Sequence, residues 1–239
     1  GYQALEQVTT GDFNVGVGHR VLESLTTGEF NVAVGRRALA SITDDNNNTA
    51  FGNIALANCT VSGNTAVGHA ALTASTTGSS NTAVGYQAAE SLTTGKRNIA
   101  LGSEALKSNT TANYNTALGY QAGKGITTGN SNVFVGGFAG VNASGSEVNN
   151  TIVGYNAAYN IASGASNNTL LGTRAGFSCA NNQNVYVGSY TGYSSTSANS
   201  GVFLGYETGY AVTTGVDNTI VGTRAGYSGT NNLTTGSNN

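Results

Sequence analysis

The sequence predicts an all-β fold, a parallel β-solenoid (β-roll) with coils of about 17 residues. Two observations support this. A pentapeptide related to Asn-Thr-Ala-Val-Gly starts thirteen times at nearly constant intervals, as at Asn14, Asn31 and Asn48. Each repeat holds a short β-branched run and glycine-containing turns, and it lacks the 3.6-residue apolar period of an amphipathic helix. A unit this short can form one coil of a solenoid that is stabilised by its neighbours.

The consensus from its asparagine is N-T-A-V-G-x-x-A-L-x-S-x-T-T-G-x-x, and we number these positions 1 to 17. Each unit is interpreted as two strands and two turns. Position 1 is asparagine in twelve of the thirteen units, and Gly201 occupies it in the other. Stacked coils would place these side chains in an asparagine ladder, with amides hydrogen-bonded from coil to coil. The predicted ladder consists of Asn14, Asn31, Asn48, Asn64, Asn81, Asn98, Asn115, Asn132, Asn150, Asn168, Asn184 and Asn218.

Three further positions predict how a coil is packed. Position 5 is glycine in every unit, from Gly18 to Gly222, which indicates a positive φ or a lack of room for a Cβ atom. Position 4 is Val, Leu or Phe, and we expect it to fill the core. Position 3 lies on the opposite strand face and is usually Ala. Because this face is also apolar, we expect it to pack laterally against other chains.

A second pattern divides this single repeat region into residues 1–122 and 123–239. Position 9 is mostly Leu in the first part and becomes Gly or Ala from Gly123 onward. Position 10 is aromatic in the last five units. One interpretation is compensating packing, in the core or between chains, in which the ring covers the space that Leu fills elsewhere. The alternative is an exposed aromatic ladder that stacks on sugar rings. The ladder residues are Tyr159, Phe177, Tyr193, Tyr210 and Tyr227.

The sequence offers no catalytic, cofactor-binding or metal site, and we expect no enzyme. His19 and His69 are three coils apart, or about 14 Å at the usual strand spacing, and are interpreted as surface residues. Cys59 and Cys179 both occupy position 12, seven coils apart, so we expect buried free thiols and no disulfide. The acidic run that begins at Asp44 is interpreted as a solvated turn.

Composition excludes other classes of protein. The net charge is -2 and 8% of residues are charged, so the protein has no positive electrostatic field that would attract nucleic acid. No apolar run is long enough to insert into a membrane. The sequence begins and ends within repeats, which indicates a fragment of a longer chain. Compartment signals would then lie elsewhere in that chain.

The repeats resemble those of viral and phage tail fibres over essentially the whole chain. Examples are Asn81-Thr82-Ala83-Val84-Gly85-Tyr86-Gln87-Ala88-Ala89 and Asn115-Thr116-Ala117-Leu118-Gly119-Tyr120-Gln121-Ala122, each followed by Thr-Thr-Gly. They are similar, more distantly, to head repeats of trimeric autotransporter adhesins. The resemblance implies a homotrimer of β-rolls on a virion or cell surface. Such a shaft would space or present a host-attachment tip, whose partner would be a host glycan or protein.

Two other functions stay open at this point. Thr-Thr pairs recur at Thr9, Thr26, Thr76, Thr93, Thr127 and Thr213, which is typical of an ice-binding solenoid, although other units interrupt the rows. Glycan binding through the aromatic ladder is the second alternative.

Overall fold

A computed structural model, which describes residues 1–227, confirms the all-β parallel solenoid. Successive strands of the main sheet lie one sequence repeat apart, and residues 1–227 contain no helix. The contacts divide the chain into two compact units, Gly1–Asn115 and Thr116–Asn239. Each unit is described separately below.

Each coil contributes one strand of three residues to a parallel sheet. In the first unit these are β1 (Val15–Val17), β2 (Val32–Val34), β3 (Thr49–Phe51), β4 (Thr65–Val67), β5 (Thr82–Val84) and β6 (Ile99–Leu101). In the second unit they are β7 (Thr116–Leu118), β8 (Val133–Val135), β9 (Thr151–Val153), β10 (Thr169–Leu171), β11 (Val185–Val187), β13 (Val202–Leu204) and β15 (Thr219–Val221). Pairing is in register, so each repeat position stacks on its equivalent, as Ala33 on Ala50.

The prediction of two strands per coil is wrong for most coils. Within residues 1–227, a second sheet forms only between β12 (Ser197–Asn199) and β14 (Thr214–Val216). Elsewhere the Thr-Thr-Gly segment hydrogen-bonds as a turn. The amides of Thr26, Thr27 and Gly28 all donate to the carbonyl oxygen of Thr43, at 2.8, 3.2 and 3.3 Å. Three donors that converge on one acceptor cannot continue as a β-ladder, in which each amide has its own carbonyl.

The turns hold non-glycine residues in the left-handed region of backbone space. Position 7, position 9 and the last residue before the next position 1 have positive φ in the described coils, with values from 48° to 62° where the residue is not glycine. This conformation costs about 1–2 kcal/mol per residue. It directs the amide toward a neighbouring coil: Arg37 donates to His19 at 2.9 Å, and Leu39 donates to Ala55 at 3.1 Å. Inter-coil hydrogen bonds therefore offset the strain.

Glycine at position 5 is required for both of the predicted reasons. Gly85 has a φ of 140°, and a Cβ atom there would lie 2.5 Å from the carbonyl oxygen of Gly102 in the next coil. The two backbones approach too closely for any side chain.

The prediction that position 4 fills the core is wrong, because the strands face the other way. The middle residue of the strand, position 3, is buried: Ala33, Ala50 and Ala83 are all fully buried. Positions 2 and 4 point outward. The core is completed by positions 8, 9 and 12, as in Leu39 and Ile42. With Leu at position 9, so thin a coil leaves room for only a small residue at position 3.

The proposed exchange between Leu and an aromatic ring at position 10 is also corrected. In most coils with glycine at position 9, the vacated space is filled from position 3 of the same coil. A Cβ atom on Gly176 would lie 2.8 Å from Cδ1 of Leu170, and one on Gly192 would lie 2.5 Å from the ring of Tyr186. Most coils of the first unit thus pair a small residue at position 3 with a large one at position 9, and most coils of the second unit reverse the sizes. The rings at position 10 lie outside the core.

Candidate functional site: two ladders and an outer strand face

The asparagine ladder lies buried at the start of each strand. From Asn31 to Asn184 its members have at most 1% of their surface exposed. Along each unit, Oδ1 accepts a hydrogen bond from the backbone amide of the position-1 residue in the next coil, at 2.9 to 3.1 Å. In most coils the next Nδ2 also donates to this Oδ1, as from Asn98 to Asn81 at 3.1 Å. The side chains thus form a hydrogen-bonded column from Asn14 to Asn115 in the first unit and from Asn132 to Asn184 in the second.

In most coils Nδ2 also donates to a backbone carbonyl of the turn that follows, which is Thr-Thr-Gly in several units. Asn81 donates to the carbonyl oxygen of Gly95 at 2.8 Å, and Asn64 donates to that of Gly78 at 2.9 Å. A buried polar atom left unpaired costs about 1–3 kcal/mol, so a residue with two donors and a double acceptor is strongly required here. Asparagine joins the strand start, the adjacent coil and the turn at once.

Gly201 interrupts this column in the second unit. Its amide still donates to Oδ1 of Asn184 at 2.9 Å, but it has no side chain to extend the ladder. A Cβ atom there would lie 3.3 Å from both Asn184 Oδ1 and the ring of Phe203, which leaves little room for a larger residue.

The aromatic ladder is a stack of rings on the surface of the second unit. Centroid distances are 5.1 Å for Tyr159–Phe177, 4.8 Å for Phe177–Tyr193, 4.9 Å for Tyr193–Tyr210 and 5.0 Å for Tyr210–Tyr227. The first three pairs are within 14° of parallel, and the last is tilted by 37°. The first four rings are half-buried and Tyr227 is exposed. The repeat spacing matches the distance at which aromatic rings stack.

This stacking disfavours sugar binding by the ladder. Carbohydrates pack on open ring faces, whereas the faces of Phe177 and Tyr193 are covered by the preceding and following rings. The ladder presents ring edges and hydroxyl groups to solvent. Burial, followed by the neighbouring phenols of Tyr193 and Tyr227, raises the pKa of Tyr210, so the hydroxyl group of Tyr210 is protonated at neutral pH.

An outer apolar row, formed by position 4 of every strand, is the feature that sequence analysis misassigned. Its members are half-buried or exposed, with Val17 57% and Phe51 56% exposed. The row comprises Val17, Val34, Phe51, Val67, Val84 and Leu101 in the first unit and Leu118, Val135, Val153, Leu171, Val187, Leu204 and Val221 in the second. The inverse size relation between positions 3 and 9 was the signal that could have identified position 3 as internal.

The Thr-Thr rows use their first hydroxyl group within the protein. Thr9, Thr76 and Thr93 each donate from Oγ1 to the backbone carbonyl of the equivalent threonine in the next coil, at 3.0 to 3.2 Å. Thr43 instead donates to the carboxylate of Asp44 at 2.9 Å. At the first threonine of each of these pairs, ordered water would therefore meet a hydroxyl group whose donor is engaged, which disfavours an ice-binding role for that row.

Cysteine and histidine occupy the environments that the sequence predicted. Cys59 and Cys179 are free and buried, and burial raises the pKa of both thiols, that of Cys179 to about 11. His19 and His69 lie at the surface, stacked on Tyr2 and Tyr86 at 5.4 and 5.5 Å. Within residues 1–227 we find no group of three or more metal-ligating side chains and no helix able to span a membrane.

Two ionic contacts at the surface of the described residues lower the pKa of a carboxyl group. Arg20 hydrogen-bonds Glu23 at 2.6 Å and thereby lowers the pKa of that carboxyl group, and Arg224 contacts Glu207 at 2.7 Å with the same effect. Both carboxylates lie beside a cation on the coil exterior. The Arg20–Glu23 bond lies within one turn, whereas the Arg224–Glu207 bond joins two successive coils.

Comparisons with protein-family models, with curated proteins and with solved structures find no match to this chain.

Proposed function

We propose that the chain is a structural segment of a fibre on a virion or cell surface, assembled from copies of itself. The observation that carries this proposal is the outer apolar row. A solenoid that buries its core completely has no internal need for Val, Leu or Phe at position 4, yet that position is never polar. An exposed apolar row of this kind is typical of a protein–protein interface.

The partner that best fits the row is another copy of the chain. The row has one apolar side chain per coil, and only a partner with the same coil spacing meets every one of them equivalently. Burial of a half-exposed Val or Leu contributes roughly 1 kcal/mol, so the row of the first unit alone would contribute about 6 kcal/mol per copy. The cost of association is about 4–15 kcal/mol, which several copies of such a row can offset.

A homotrimer is the assembly implied by the resemblance to tail-fibre and adhesin repeats. The proposed role is mechanical. The asparagine ladder holds the coils in register, the outer rows join the chains, and the resulting shaft spaces or presents a host-attachment tip elsewhere in the fibre. The receptor would be a host glycan or protein.

The test is the particle mass by light scattering after size exclusion, with negative-stain images. We expect an elongated particle of three times the 24.0 kDa chain mass. Leu101→Lys places a charge in the outer row and should lower the mass. Its matched control, Thr94→Lys, adds the same charge at an exposed turn and should leave the mass unchanged. A stable wild-type particle of single-chain mass would contradict the proposal.

A further inference from the structure

The C-terminal part of the aromatic ladder contains three consecutive phenols. Tyr193 and Tyr210 stack at 4.9 Å with their planes 2° apart, and Tyr227 follows at 5.0 Å and 37°. We propose that these tyrosines are a site of oxidative cross-linking, in which Tyr193 and Tyr210 couple to a dityrosine that joins two successive coils. This inference concerns a bond within one chain and does not rest on the fibre role.

The geometry suits coupling because both rings occupy position 10 of successive coils. The backbone amide of Ser194 donates to the carbonyl oxygen of Tyr210 at 3.0 Å, so the backbones that carry the rings are held in register. Parallel, stacked phenols bring like ring carbons close together, including the carbons ortho to the hydroxyl groups. The new bond lies in the plane of both rings, so the two half-buried side chains must turn out of the stack as the ortho carbons join.

The reaction needs a one-electron oxidant, which the environment of the protein would supply. Each phenol loses one electron to the oxidant and its hydroxyl proton to water, which gives two phenoxyl radicals. The radicals form one carbon–carbon bond between their ortho positions. The hydrogen on each joined carbon leaves as a proton while each oxygen regains one, so the product has lost two hydrogen atoms and two equivalents of oxidant are reduced.

Other aromatic residues of the second unit lack the features that coupling requires. Phe177 separates Tyr159 from Tyr193 in the ladder and has no hydroxyl group, so coupling stops there. Tyr186 is fully buried against Phe203, with its hydroxyl group 2.6 Å from Ser195 Oγ. The site is therefore confined to the phenols that follow Phe177.

A cross-link at this site would act as a covalent staple. It would join coils that are otherwise held by hydrogen bonds and stacking, and it would close a loop one repeat long between Tyr193 and Tyr210. Loops of that size restrict the unfolded chain appreciably. Oxidation would therefore stabilise this part of the solenoid after folding is complete.

The test uses a photogenerated ruthenium(III) complex as the one-electron oxidant on dilute folded protein, followed by digestion with trypsin and a glutamate-specific protease. Cleavage at Arg174, Glu207 and Arg224 separates Tyr193, in peptide 175–207, from Tyr210, the one tyrosine of peptide 208–224. We expect these peptides joined, with two hydrogen atoms fewer than their sum, and fragment spectra that place the link at Tyr193.

Variants that keep the rings test the assignment. Tyr210→Phe and Tyr193→Phe should each abolish the joined peptide, while Tyr190→Phe should retain it. Phe177→Tyr should create a new coupled pair inside peptide 175–207, because its ring is 4.8 Å from that of Tyr193. Absence of the joined peptide from the wild type, its persistence in Tyr193→Phe, or an equal yield from protein oxidised in denaturant would each overturn the proposal.

Discussion

Coil 10 of the solenoid, which begins at Asn168, should accept the core of the coil that begins at Asn48. Its inward residues at positions 3, 8, 9 and 12 are Leu170, Ala175, Gly176 and Cys179. The corresponding residues of the earlier coil are Ala50, Ala55, Leu56 and Cys59. The two sets differ only at positions 3 and 9, which are Leu and Gly in the later coil and Ala and Leu in the earlier one. The double variant Leu170→Ala/Gly176→Leu converts one core into the other, and the two single variants complete a double-mutant cycle.

The single variants should each be strongly destabilising. Leu170 is fully buried, and its replacement by Ala should cost about 2–5 kcal/mol. A Cβ atom on Gly176 would lie 2.8 Å from Leu170 Cδ1 and 3.2 Å from Cys179 Cβ, so Gly176→Leu overpacks the core, at a cost of about 1–3 kcal/mol. Gly176 also has a φ of 56°, where leucine costs a further 1–2 kcal/mol or so.

In the double variant the leucine introduced at position 176 fills the cavity left by Leu170→Ala, so the cavity cost and the overpacking cost are both removed. Only the backbone cost remains, which is the cost that Leu56 already carries at a φ of 50°. The expected loss is about 1–2 kcal/mol, well below the sum of the single variants, and the coupling energy should be about 3–8 kcal/mol in the stabilising direction.

Thiol labelling under native conditions measures this locally. Cys179 is buried in the altered coil and reacts when that coil opens, and Cys59 in the first unit serves as a control in the same chain. A loss of 2–5 kcal/mol should raise the labelling rate of Cys179 about 30-fold to several thousand-fold in the single variants, with recovery in the double variant. If the double variant labels as fast as the product of the two single effects predicts, the size exchange is not the principle of this core.

Two more predictions follow from buried polar groups. Because burial raises the pKa of Cys179 from 9.0 to about 11, the folded state retains a proton that the unfolded state loses. The free energy of unfolding should therefore fall between pH 9 and 11, by about 2–3 kcal/mol more in the wild type than in Cys179→Ala, as measured by urea titration. Ser195→Ala should cost about 1–3 kcal/mol because it leaves the buried hydroxyl group of Tyr186 without its 2.6 Å partner. Addition of Tyr186→Phe should restore most of that loss, and a double variant no more stable than Ser195→Ala would contradict this reasoning.

Much of the architecture could be predicted from the sequence because the repeats can be aligned with one another, which shows which positions stack from coil to coil. The in-register stacking requires each column to be compatible with itself from coil to coil. Glycine at position 5 and asparagine at position 1 satisfy that requirement, and their roles could be worked out from residue type alone. The free thiols of Cys59 and Cys179 follow equally, since seven coils separate them.

The direction of the strand faces could not be obtained in the same way. A three-residue strand such as Val32–Val34 has an apolar side chain on both faces, so alternation does not distinguish inside from outside. We expected the larger residue to be internal, which is the usual relation in a globular core. The solenoid interior is too narrow for that, because Leu39 and Ile42 already fill it.

The sequence by itself thus determined the fold class, the repeat register and the ladders, since all of these are properties of one position compared with itself along the chain. Only the tertiary structure decided which side of each strand is the core and which residue fills the space beside Gly176 or Gly192. Those questions depend on contacts between different positions across the interior of a coil, and their answer is set by the width of that interior.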